Sequence, residues 1–396
     1  MAYYKQEMIK NAVIIIPNIS NEEQVCDFLW QTKKVLDKDN FVYVIDCSSS
    51  QSVLQIIRSW VFSWKIDYLE PIDLLPFRRF SFIKDFNQAI YFFALQIYLS
   101  IKHKRFKDCY LWMFFPQLTT VTQLNLPWWQ IIFDIVDFHT SENKQIDLLL
   151  TKAKRRLLIK ADHIFVISHT LLKQYKKFIK QEHLNLKNKI EIVPQGFDWD
   201  SFLKNNQKTT LVFPTGKPII GFIGQISERL DFELINSLVI KNKQRNFVFI
   251  GPWHHENNVP ANASYQDYFK KICREKNCFY YGKQSRKNIL SILDRFDICM
   301  IPYNCSFDFN RYSYPMKIFE YFYAGKPVLS TQIDELERFG DFVKIGFDAK
   351  EWQTNINQLL KESYQFKKQS VQREIAIQNS WSNKLERIYE FIKKRN

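Results

Sequence analysis

Apolar runs of four to seven residues, rich in Ile, Val and Phe, alternate along the chain with longer stretches whose apolar residues return every three or four positions. Runs of the first kind read as strands and the longer patterns as amphipathic helices. In the first half, strands are expected at 12–16, 41–45, 109–115, 131–136, 163–167 and 190–193, with helices at 22–36, 85–102, 143–159 and 170–179. This β-α-β-α order predicts an α/β fold with a parallel sheet covered by helices. A polar stretch that ends in Pro214, Gly216 and Pro218 then breaks the pattern, and 204–217 reads as a linker. Beyond it the pattern restarts, with strands at 219–223, 247–250, 279–281, 298–301 and 328–330 and helices near 229–241, 265–275, 286–293 and 316–323. The tail, 352–360 and 381–394, is helical by periodicity and has no strand to serve. The expected organisation is therefore a Rossmann-like domain over 1–203, a second over 218–380, and a helix over 381–396 that packs back on the first.

Length agrees with this division, since 396 residues suit two compact domains. No apolar stretch reaches the roughly 18–20 residues of a membrane-spanning helix. The nearest, 86–101, is interrupted by Asn87, Gln88 and Gln96 and reads as a buried helix. The early run at 12–16 is too short for a secretory signal, so a cytoplasmic protein is expected. Seven scattered cysteines without a CxxC pair suggest neither a disulfide framework nor a zinc site.

A formal charge of +15 invites a polyanionic partner. Residues 1–210 carry 28 basic against 21 acidic side chains and 211–396 carry 28 against 20, so no half is a dedicated basic domain, which disfavours nucleic acid. Clusters at 103–107, 152–160 and 173–189 suit peripheral association with an anionic membrane at the inner face of the cell, each basic residue contributing about 1 kcal/mol. For any one of them a solvated helix face is the more ordinary explanation.

The candidate chemistry concentrates in the second half. Strand 219–223 runs directly into Gly224-Gln225-Ile226-Ser227-Glu228-Arg229, at the place where open α/β sheets bind phosphate, and Arg229 can add a charged contact. Alone, Gly221 and Gly224 describe a tight strand–helix turn just as well. Downstream, Pro315 is placed to start a helix, Gly325 to cap it and Pro327 to stop it. Lys317 and Glu320 share one face of that helix, with the cation nearer its positive end and a carboxylate one turn deeper.

The segment Pro315-Met316-Lys317-Ile318-Phe319-Glu320-Tyr321-Phe322-Tyr323-Ala324-Gly325-Lys326-Pro327 resembles the donor-site motif of GT-B glycosyltransferases, especially bacterial enzymes of glycosyltransferase families 1 and 4. Segments 161–168, 192–198, 220–224, 249–252, 281–283 and 296–302 are similar to the family's other landmarks and fall in its order, so the resemblance covers about 130–335. It implies a GT-B architecture of two Rossmann-like domains facing across a cleft, the first for the acceptor and the second for a nucleotide-sugar donor. It further implies that Glu320 binds the donor ribose, that Gly224 and Gln225 face the pyrophosphate with Lys317 and Arg229 as phosphate partners, and that Gly282 and Lys283 border the base. A UDP-sugar is the favoured donor, and a saccharide or lipid-linked acceptor in cell-surface polysaccharide synthesis the favoured recipient, in a hexosyltransferase-type reaction without cofactor or metal. Two positions depart from the pattern: Tyr312 stands where the paired-glutamate motif has its first acid, and Gln225 replaces the usual basic residue after the glycine.

In the first domain the best chemical cluster is 134–139, at the end of an expected strand. Asp137 is the candidate general base of an inverting transfer, with Asp134 and His139 as acceptor contacts; a helix cap or turn explains Asp137 equally. In a retaining transfer the leaving phosphate itself takes the proton. Asp198-Trp199-Asp200 has the spacing of a metal-binding D-x-D, yet it follows a Pro-x-Gly turn and no metal is assigned; nor are His254 and His255, which lack partners at ligand spacing. Two other readings stay open, a DNA-modifying glucosyltransferase and a non-catalytic nucleotide-sugar-binding protein.

Overall fold

The computed structural model describes residues 11–16, 27–45, 108–116, 129–139, 144–186, 189–204, 207–253, 263–361 and 366–394, with short pieces between 51 and 97. Most of the expected helix 85–102, the basic cluster 103–107, and His254 with His255 lie outside the described residues. The chain divides into two compact units, Met1–Pro194 with Lys384–Asn396, and Gln195–Asn383. The stretch 204–217 thus falls inside the second unit. Its chain is already tied there at Gly196, where any Cβ would meet the Trp381 backbone at 2.5 Å, and at Phe197, whose N–H donates to the Asn379 carbonyl at 2.8 Å.

The strands of the first unit are β1 (Asn11–Ile16), β2 (Asn40–Ile45), β3 (Gln51–Ser52), β4 (Tyr68–Leu69), β5 (Ile72–Asp73), β6 (Cys109–Met113), β7 (Trp129–Ile135), β8 (His163–Val166) and β9 (Ile190–Ile192). Seven of them form one parallel sheet in the order β4-β2-β1-β6-β7-β8-β9, while β3 and β5 pair separately. All five side chains of β6 and all four of β8 are buried, because a parallel sheet covered on both faces leaves neither face to water. Trp112 and Tyr110 are core residues by this geometry. Helix Lys144–Lys160 follows β7, and helix His169–Gln181 begins where Ser168 caps it by accepting from the Leu171 N–H.

In the second unit, β10 (Ile219–Ile223), β11 (Asn246–Ile250), β12 (Cys278–Tyr280), β13 (Ile298–Ile301), β14 (Val328–Ser330) and β15 (Val343–Ile345) form a six-stranded parallel sheet ordered β12-β11-β10-β13-β14-β15. This order moves outward from β10 to one side and then returns to its other side at β13, so the direction of winding reverses between them. At that switch point the chain connections leave in opposite directions, so the loops that follow β10 and β13 diverge at their carboxyl ends.

Helix Lys317–Tyr323 joins β13 to β14 and ends as its sequence requires. Gly325 takes φ 66°, its N–H donates to the Phe322 carbonyl at 2.9 Å, and the Lys326 N–H reaches the Tyr321 carbonyl at 3.0 Å. This pair of reversed bonds needs a left-handed residue, which glycine supplies without strain.

Candidate functional site

The site is assembled on the exit of β10. Gly224 leaves the strand at φ 151°, its N–H donating to the Ile250 carbonyl at 2.9 Å. The segment it opens is sewn over neighbouring strand ends by three backbone bonds: Ile226 N–H to Pro252, Leu230 N–H to Ser227, and Asn304 N–H to Arg229. Beneath it, Gly251 at φ 146° allows the closest backbone approach in the site, since a Cβ there would lie 1.8 Å from the Gly224 carbonyl oxygen. Gln225 stands exposed immediately after this turn.

Lys317 meets the same turn from the other side. Its ammonium lies where a Cβ on Gly224 would fall, 2.5 Å from that position, over the face of Phe222 at 4.1 Å from the ring centroid. It donates to the Tyr303 hydroxyl at 2.9 Å. Arg229 completes the group, its guanidinium 4.7 Å from the Tyr303 ring and 4.5 Å from that of Phe309, with Nε donating to Asn310 Oδ1 at 2.9 Å. Burial pushes the Tyr303 hydroxyl up, but Lys317 and Arg229 outweigh it and bring the group below its ordinary phenol value. Two cations at the carboxyl ends of β10 and β13 make this end of the sheet suited to an anion.

The helix carrying Lys317 is held to both switch-point strands by Tyr321. Its buried hydroxyl accepts from the Ile223 N–H at 3.0 Å and lies 3.5 Å from the Met300 carbonyl. Glu320, one residue earlier, keeps only 14% of its side chain exposed, and Oε1 is 3.7 Å from Arg286 Nη2. Gly282, at φ 66° with open space around its Cα, and exposed Lys283 lie between β12 and Arg286. The structure therefore brings Gly224, Arg229 and Lys317 together, with Glu320 on the Lys317 helix facing Arg286, which follows Gly282 and Lys283 in the chain. Tyr303, Tyr321 and Arg286 are additions that the sequence reading passed over. Tyr303 was within reach of it, as the residue directly after the landmark segment 296–302.

The first unit presents a different picture at 134–139. Asp134 is no surface acceptor contact: it is fully buried, and its Oδ2 is 2.7 Å from Nζ of Lys384, itself 2% exposed. It lies within β7, whose two faces are both covered, so a carboxylate there must be matched by a buried cation. Asp137 lies past the end of β7 and is partly exposed. It is also near enough to Tyr175 to raise that hydroxyl further, after burial itself.

His139 is buried, with Phe115 edge-on at 4.7 Å, and Lys154 donates to its carbonyl at 2.8 Å. Its ring bonds to the Phe114 backbone, while Nε2 has no hydrogen-bond partner among the described residues. Burial, then the Lys154 charge, lower its pKa to about 4, against the Phe114 bond that raises it, so the imidazole is neutral at physiological pH. In the unfolded chain it binds a proton near pH 6.5. The unfolded state thus holds more protons between about pH 4 and 6.5, and stability falls as pH drops through that window. Wild-type protein is expected to lose more stability than His139→Gln between pH 7 and 5 in chemical denaturation; parallel losses would contradict this.

Among the described residues no cluster of three or more His, Cys, Asp or Glu side chains could hold a metal ion. Asp198 precedes a short helix, Trp199–Lys204, and its carbonyl accepts the Phe202 N–H at 3.1 Å. Among the described residues no helix is long and apolar enough to cross a membrane.

Comparison with known proteins agrees with this geometry. The family described as "Glycosyl transferases group 1" matches residues 203–379. TuaH of Bacillus subtilis (strain 168), assigned as a teichuronic acid biosynthesis glycosyltransferase, is 27% identical over 235 residues; the match takes in 57% of this chain and 56% of TuaH. Among solved structures, a glycosyltransferase of Rickettsia africae superposes with a TM-score of 0.68 at 14% identity, covering 98% of each chain. HepE of Anabaena, in complex with UDP, does so with 0.64 at 11% identity over 98% of this chain and 100% of its own. Residues 203–379 are accordingly similar to the group 1 glycosyl transferases, and the chain as a whole has the two-sheet GT-B fold of the structures it superposes on.

Proposed function

We propose that this protein transfers a sugar from a nucleoside diphosphate donor, by preference a UDP-sugar, to a saccharide or lipid-linked acceptor in cell-surface polysaccharide synthesis. The observation that carries the reading is the meeting of Lys317 with the Gly224 turn at the switch point, with Glu320 one turn further along the same helix. Anion and hydroxyl recognition then come from one short element: Lys317 and Arg229 take the diphosphate beside Gly224 and Gln225, and Glu320 accepts from the ribose hydroxyls. Gly282 and Lys283 border the base. TuaH's assignment to teichuronic acid biosynthesis favours an envelope polysaccharide, and the UDP held by HepE favours uridine.

Asp137 serves as general base on the acceptor hydroxyl, and neutral His139, buried two residues further on, acts by packing behind it rather than by touching the acceptor. The reaction takes place at the cytoplasmic face of the membrane, where acceptors on lipid carriers are reached by peripheral contact of basic surface with acidic headgroups. The test is thermal unfolding with UDP, GDP and their sugars. A ligand present at one hundred times its Kd stabilises the folded state by about 2.7 kcal/mol. UDP and a UDP-sugar are expected to raise the midpoint more than GDP; no shift with any nucleotide would remove the donor site.

A further inference from the structure

We propose that Tyr303 is the positioning residue of the diphosphate site: its hydroxyl anchors the Lys317 ammonium and its ring carries the Arg229 guanidinium, so one side chain sets the placement of both cations. This rests on the donor-site reading above and adds to it a residue that touches no donor atom itself.

The argument begins with what holds the two charges. Among the described residues Lys317 has one hydrogen-bond partner, the Tyr303 hydroxyl at 2.9 Å, and two aromatic faces, Phe222 and Tyr303. Arg229 uses Nε on Asn310 and lies against Tyr303 and Phe309. All of these partners are neutral, and among the described residues no carboxylate pairs with either cation. An ion pair would have spent the charge on the protein; a phenol and ring faces hold the groups in place and leave the charge for a ligand. A lysine also needs such an anchor more than most side chains, because four rotatable bonds otherwise scatter its ammonium.

Tyr303 is well placed to do this. It stands two residues beyond β13, is buried, and is fixed by a backbone bridge to Leu230 and by its carbonyl accepting from Thr331 Oγ1 at 2.8 Å. Its ring is thus immobile, while the loop carrying Arg229 and the helix carrying Lys317 both close on it.

The experiment compares Tyr303→Phe with wild type for binding of UDP and of uridine by calorimetry, with GDP and guanosine in parallel. Phenylalanine keeps the ring and deletes the hydroxyl, so UDP affinity should fall by about tenfold, as for one hydrogen bond to a charged group, while uridine affinity stays unchanged. In a Lys317→Met background, Tyr303→Phe should cost no further UDP affinity, because the hydroxyl acts through that ammonium. Tyr303→Leu, which also removes the ring under Arg229, should weaken UDP more than Tyr303→Phe and still spare uridine. Equal losses for UDP and uridine, or an undiminished effect in the Lys317→Met background, would reduce Tyr303 to a packing residue and overturn the proposal. Unaltered UDP binding by Tyr303→Phe would do the same while leaving the donor site standing. Failure of wild-type protein to bind either diphosphate would overturn the donor site and this inference together.

Discussion

Lys384→Met is expected to destabilise the first unit by about 3–5 kcal/mol, the usual effect of removing one member of a fully buried ion pair. Lys384 and Asp134 are 1% and 0% exposed, and the pair joins helix Trp381–Lys393 to β7 in the interior of that unit. Burial lowers the lysine's pKa and the Asp134 charge opposes it. Without the ammonium, the carboxylate is left in a region where no water can solvate it, and it must either stay charged at great cost or take up a proton. Urea unfolding should therefore show a lower midpoint for the single variant. The double variant Asp134→Leu/Lys384→Met should recover most of the loss, because an apolar pair of similar volume needs no solvation. A single variant within about 1 kcal/mol of wild type would show that the pair is not held as described.

Glu320→Ala has the second largest expected effect, and it falls on binding rather than folding. A carboxylate accepting from two ribose hydroxyls makes charged hydrogen bonds, so its loss should weaken UDP by about 1.5–3 kcal/mol, roughly ten- to a hundredfold. Arg286, its partner at 3.7 Å, keeps 54% of its side chain exposed, so stability should change little when that contact is lost. Inorganic pyrophosphate separates this role from that of Tyr303: it lacks a ribose, so Glu320→Ala should leave its affinity intact. Unchanged UDP affinity in the variant would place the ribose elsewhere.

Much of the fold was legible from residue order. Strands such as Ile219–Ile223 and Ile298–Ile301 are runs that can only be buried on both faces, and helices such as Lys144–Lys160 carry one apolar side. Helix Phe366–Gln378 escaped notice because it has no apolar stripe to announce it. It is held by polar bonds at the end of another helix, Gln372 Nε2 donating to the Lys326 carbonyl and Arg373 Nε to that of Tyr323. The edge strand Val343–Ile345 is three residues long, too brief for any periodicity. The position of Gly325 and the candidacy of Gly224, Lys317 and Glu320 came from local spacing, since turns, caps and helix faces are set by neighbours in the chain.

What sequence determined by itself, then, is whatever depends on residues within a turn or two of each other: the alternation of strands and helices, the helix that begins near Pro315 and ends at Gly325, and the carboxylate and ammonium sharing its face. Tertiary structure alone decided the rest. It placed Tyr303 under both Lys317 and Arg229, Arg286 beside Glu320, and Lys384 against Asp134, which turns an expected acceptor contact into half of a buried ion pair. The physical reason is common to all three. A charge buried or drawn into a site requires a partner within a few ångströms in space, and chain order says nothing of that partner when it lies beyond the next few turns, here from 14 residues upward.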